Sequence, residues 1–149
     1  MLAVTELCDR HEPRVSAVFN DMWGLARTDE LGFPACVPAR CHEFDDSNYA
    51  GSWAAPVHAT LKTRSVPHSF QTDVLAVCPD LLDLGSDEEE QPAVELLAYA
   101  YYFHQQGQAV RLVTEESGPH PFRMSLAEAA TVIGMTCLSM GEFIRERRL

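Results

Sequence analysis

Apolar residues recur along the chain in two rhythms, and the rhythm changes near the middle. Val15, Val18, Phe19, Met22, Trp23 and Ala26 follow the i, i+3, i+4 spacing that puts one apolar stripe on a helix, and Pro13 stands where a helix can begin. A shorter helix fits Val4 to Arg10. Val74-Leu75-Ala76-Val77, stopped by Pro79, reads as a buried strand or as part of a helix. Between Gly32 and Gln71 the prolines interrupt any sustained period, and the pattern assigns no element there.

From Pro92 onward the elements alternate. Pro92 suits a first helical turn, and Val94, Leu97, Ala98, Tyr101 and Tyr102 line one face of a helix that should end before Gly107. Val110 to Thr114 is short, apolar and β-branched, the composition of a buried strand. A loop with Gly118, Pro119 and Pro121 follows. Ser125-Leu126-Ala127-Glu128 then fits a capping box opening a helix that should stop at Gly134. Met135 to Leu138 is the next strand, and Ser139 to Glu142 offers a second capping box for a last helix through Phe143 and Ile144. Helix, strand, helix, strand, helix with short connections predicts an α/β fold with a parallel sheet.

Composition narrows the function classes. The 149 residues, 46% hydrophobic and 22% charged, suit a single globular domain covering 1–149. No apolar run approaches the roughly 20 residues of a membrane span. The start lacks a basic segment followed by an apolar core, so a cytoplasmic protein is expected. Five widely spaced cysteines, Cys8, Cys36, Cys41, Cys78 and Cys137, read as reduced thiols. A net charge of −11 argues against holding long duplex nucleic acid by phosphate neutralisation, yet allows metal ions at a small acidic site. Arg145, Arg147 and Arg148 suit the end of a helix.

The acidic residues fall where a parallel sheet concentrates function. Ligands of open α/β sheets sit outside the carboxyl ends of the strands, which here means Glu115 and Glu116. A helix leading into a parallel strand runs antiparallel to it, so Glu95, in the first turn of the Pro92 helix, is brought toward the same edge. Carboxylates gathered in this way need a cation or a shared proton, and oxygen-rich sites suit magnesium or manganese. Other patterns carry less. Cys36, Cys41 and His42, with Glu43 beside them, lack the second ligand pair of a structural zinc site. There is no Gly-rich phosphate loop, G-x-S-x-G elbow or H-E-x-x-H motif. Tyr49 and Trp53 are expected to pack a loop.

Glu95-Leu96-Leu97-Ala98-Tyr99-Ala100, Gly107, Leu112-Val113-Thr114-Glu115-Glu116, Gly134-Met135-Thr136-Cys137-Leu138 and Glu142-Phe143-Ile144, in that order, resemble the PIN-domain family. The closest likeness is to the VapC-type toxins of toxin–antitoxin pairs and small PIN-like relatives. The resemblance covers roughly the last third of the chain. It implies a PIN-like three-layer α/β/α fold with a parallel sheet, N-terminally truncated. Glu95 takes the family's third acidic position and Glu116 the fourth, both usually aspartate. Met1 to Arg10 resembles the segment Val-Thr-x-Glu-Leu, which puts Glu6 at the second. The first aspartate has no match, and Asp9 or Asp73 is its conceivable substitute. The resemblance further implies a divalent-metal ribonuclease in which Glu6, Glu95 and Glu116 are catalytic and hold Mg2+ or Mn2+. Glu115 is then a neighbour that orients the site, and Arg111 and Arg123 are candidates for phosphate contact or else surface residues. RNA substrate, a cognate antitoxin and a homodimer are the implied partners. The alternative is a catalytically degenerate PIN-like module that binds a protein partner.

Overall fold

The computed structural model describes residues 12–44, 49–85, 91–116, 118–119 and 121–149. They form a mixed α/β structure, mostly helical, with seven α-helices and one small parallel sheet among them. The chain divides into two compact units: the residues up to Ser65 together with Met140–Leu149, and Val66–Ser139. No helix among the described residues is long and apolar enough to cross a membrane.

The first unit holds α1 (Glu12–Arg27), α2 (Cys36–Phe44), α3 (Tyr49–Thr60) and α7 (Met140–Arg147). The stripe on α1 is core, as its spacing predicts: Val18, Phe19, Met22 and Ala26 are buried, while Trp23 is exposed. The stretch that periodicity left unassigned contains α2 and α3. Pro38 falls in the first turn of α2, where a missing N–H breaks no intrahelical bond, but Pro56 lies inside α3. The inward face of α3 is built from Ala50, Ala54 and Val57, all buried. Trp53 belongs to this helix and not to a loop. Its indole N–H donates to the Phe19 carbonyl at 2.8 Å, and its ring lies 5.2 Å from that of Phe19 and 5.9 Å from that of Phe33. Arg147 of α7 pairs with Glu30 at 2.8 Å, and Lys62 pairs with Asp29.

The second unit holds α4 (Ser69–Val77), a 3-10 turn (Pro79–Leu81), α5 (Pro92–Gln105), β1 (Arg111–Val113), α6 (Leu126–Val132) and β2 (Thr136–Leu138). Val74 to Val77 is therefore helix, resolving the two readings its apolar run allows. Both left-handed glycines fall where the helices must stop: Gly107 at φ +77° after α5 and Gly134 at φ +80° after α6. β1 and β2 pair in parallel, Leu112 opposite Cys137, as the alternation of elements predicts. Their core joins Val74, Leu81, Leu97, Leu112, Ala129 and Met135, so α4, α5 and α6 share apolar surface with β1. Cys36, Cys41, Cys78 and Cys137 are free thiols. Burial raises the pKa of Cys78 and Cys137.

Candidate functional site

The site begins with a turn at the end of β1. The Thr114 backbone N–H donates to the Leu138 carbonyl at 2.9 Å, the last rung of the parallel pair. One residue on, the pairing ends: the Thr114 hydroxyl accepts the Glu116 N–H at 3.0 Å and turns the chain away from the sheet. Glu115 points outward and is exposed, whereas Glu116 is half-buried.

Glu116 then meets the start of α6. Its carboxylate accepts both prongs of the Arg123 guanidinium, Nη2 on Oε1 at 2.6 Å and Nη1 on Oε2 at 3.0 Å. Oε2 also accepts the backbone N–H of Leu126, the first residue of α6, at 2.9 Å. One anion therefore satisfies a free donor at a helix N-terminus and neutralises the nearest cation. Arg123 Nη1 is held further by the Met124 carbonyl at 2.9 Å. Next to this clamp lies the capping box read from the sequence. The Ser125 hydroxyl accepts the Glu128 N–H, and the Glu128 carboxylate accepts the Ser125 N–H at 2.9 Å and its hydroxyl at 2.7 Å. These bonds, the backbone donor foremost, hold the Glu128 carboxyl below its ordinary pKa.

A short relay of hydrogen bonds links the segment before α6 to the start of α5. The Met124 N–H donates to the Asp80 carbonyl at 2.6 Å. Three residues on, the Asp83 backbone N–H and carbonyl pair with the side-chain amide of Gln91 at 2.8 and 2.9 Å. Gln91 is the residue at which α5 begins, and its carbonyl accepts the Glu95 N–H. Glu95 is half-buried in the first turn of α5. Arg111 is at the opposite end of β1, away from Glu116. Asp73 lies exposed on α4. Glu6 and Asp9 lie outside the described residues.

A cleft of about 360 Å³ opens beside the clamp. Its walls are the segment from Pro79 to Gly85 and the residues Phe122, Arg123 and Met124. The relay bond between Asp80 and Met124 ties one wall to the other. Two large apolar side chains there face water, Leu84 at 88% exposure and Phe122 at 75%. Sequence spacing gave no warning of this cleft, because its walls come from segments some forty residues apart and neither is periodic. The only available signal was a pair of apolar residues, Leu84 and Phe122, set among turn formers.

An all-oxygen donor set has the right chemistry for magnesium or manganese, but Glu116 is already engaged at both oxygens by donors of its own chain. Among the described residues no three His, Cys, Asp or Glu side chains are grouped so as to hold a metal ion, and this includes Cys36, Cys41 and His42 of α2. Compared with known proteins, the chain matches no family model, no curated protein and no solved structure.

Proposed function

We propose that the chain is a PIN-like α/β module in which the fourth acidic position serves as a structural clamp, and that it acts by binding a protein partner. The observation that supports this reading is the fork between Arg123 and Glu116: a guanidinium sits where the resemblance would have a divalent ion beside the carboxylate. A carboxylate held by two charge-assisted bonds and a helix N-terminus gives up that energy before it can bind a metal.

A second reading is favoured by a different observation. Glu95 lies in the first turn of α5, and Glu115 and Glu116 follow directly on β1, positions at which the resemblance has the acids of a divalent-metal ribonuclease of the toxin type. In that reading Glu6, Glu95 and Glu116 would hold Mg2+ or Mn2+, which would supply Lewis-acid chemistry toward an RNA phosphodiester, and a cognate antitoxin and a second copy would be the partners.

Thermal unfolding with and without manganese, beside cleavage of a labelled single-stranded RNA with and without a chelator, separates the two. For the partner-binding module, manganese leaves the melting temperature of wild type and of Glu95→Gln equally unmoved, and no chelator-sensitive cleavage occurs. A manganese-induced rise that Glu95→Gln abolishes, together with cleavage that the chelator stops, overturns that reading in favour of the ribonuclease.

A further inference from the structure

The geometry points to the occupant of the cleft: a segment of a partner protein that inserts one bulky apolar side chain and carries arginine or lysine on both sides of it. This rests on the partner-binding reading. The cleft's volume of about 360 Å³ is at the lower end of the roughly 300–1,000 Å³ spanned by ligand pockets, room for a large side chain and little more. Leu82, Leu84, Phe122 and Met124 supply its apolar lining. Leu84 and Phe122 hold most of their surface in water, and an inserted side chain would relieve that exposure.

Charge selects what flanks the insertion. Asp80 and Asp83 line the cleft, while the one lining cation, Arg123, has its charge taken up by Glu116. The chain as a whole carries 22 acidic against 11 basic side chains. The field over the cleft is therefore negative, which repels phosphates and attracts a cationic segment. The walls are ready for it. The Asp80–Met124 bond at 2.6 Å and the two Gln91–Asp83 bonds fix both sides, so little ordering is left to be done on binding.

The probe is a set of short synthetic peptides with a central tryptophan or leucine and flanks of arginine, alanine or glutamate, titrated into the intact protein. Arginine-flanked peptides should bind best, with Phe122→Ser weakening them about tenfold or more. Asp80→Asn with Asp83→Asn should weaken them too and flatten the salt dependence. These positions are at the surface, so unchanged melting temperatures show that the variants remain folded. Binding indifferent to the flanks or to Phe122→Ser, or no binding at all, overturns the inference. So does a wild-type dimer that Phe122→Ser converts to monomer, because the occupant is then a second copy. Manganese-dependent RNA cleavage is the separate outcome that overturns the underlying reading.

Discussion

Arg123 closes both prongs of its guanidinium on the Glu116 carboxylate, at 2.6 and 3.0 Å, with side-chain exposures of only 14% and 24%. The pair spans the loop between β1 and α6, so it joins the end of a strand to the beginning of a helix. Reasoning from like charges alone, replacing Glu116 by Gln would relieve repulsion with Glu95 and leave stability unchanged or slightly higher. With the fork present the sign reverses. Glu116→Gln keeps an oxygen for Leu126 but leaves a half-buried guanidinium without its anion, and should destabilise the protein by about 1–3 kcal/mol. Arg123→Lys should recover only part of the interaction, because an ammonium cannot make the planar two-bond contact. Urea unfolding of both single variants and the double variant measures the coupling. An unaltered midpoint in Glu116→Gln would show that the carboxylate is not held by Arg123 in solution.

Stability in acid should carry the signature of two depressed carboxyls. Glu128 is lowered by the Ser125 backbone and hydroxyl bonds, and Glu30 by the Thr28 hydroxyl and then by Arg147. A carboxyl with a lower pKa folded than unfolded adds stability above its unfolded value, near 4.5, and loses it as the pH falls through the folded value. The melting temperature should therefore drop as the pH falls below about 4.5. Ser125→Ala keeps the backbone N–H that lowers Glu128 most, so it should remove only the hydroxyl's smaller part of that dependence, whereas Glu128→Gln should remove the whole Glu128 share. At neutral pH Ser125→Ala should cost about 1 kcal/mol for the lost cap. Thermal scans across the acid range check both. Parallel pH curves for wild type and Glu128→Gln would mean that the Glu128 carboxyl is not bound to the cap.

The C-terminal elements were legible because each is marked by a residue whose chemistry works locally. Ser125 and Glu128 satisfy each other's donors whatever surrounds them, and Gly107 and Gly134 take a left-handed conformation that other residues resist. What the sequence hid depends on partners distant along the chain. In the sequence Glu116 reads as a metal ligand and Arg123 as a candidate phosphate contact, and that they hold each other depends on the loop between them folding back. α3 was hidden for another reason: its buried face is Ala50, Ala54 and Val57, small residues with little hydrophobic contrast, and Pro56 is ordinarily read as a helix breaker.

Pro56 gives the last prediction. It sits inside α3, where it deprives the helix of one backbone hydrogen bond and crowds the preceding turn, at a cost of about 3 kcal/mol relative to alanine. Its stiffening of the unfolded chain offsets only about 0.4–1 kcal/mol of that. The ring is exposed, so no core contact is lost with it; the neighbours that face inward are Ala54 and Val57, which the substitution leaves in place. Pro56→Ala should therefore stabilise the protein by about 2 kcal/mol, seen as a higher urea midpoint with an unchanged slope. The opposite sign would mean that the bend imposed by Pro56 is what directs Trp53 onto the Phe19 carbonyl. Removing the indole donor alone, with Trp53→Phe, should then be less harmful in the Pro56→Ala background than in wild type.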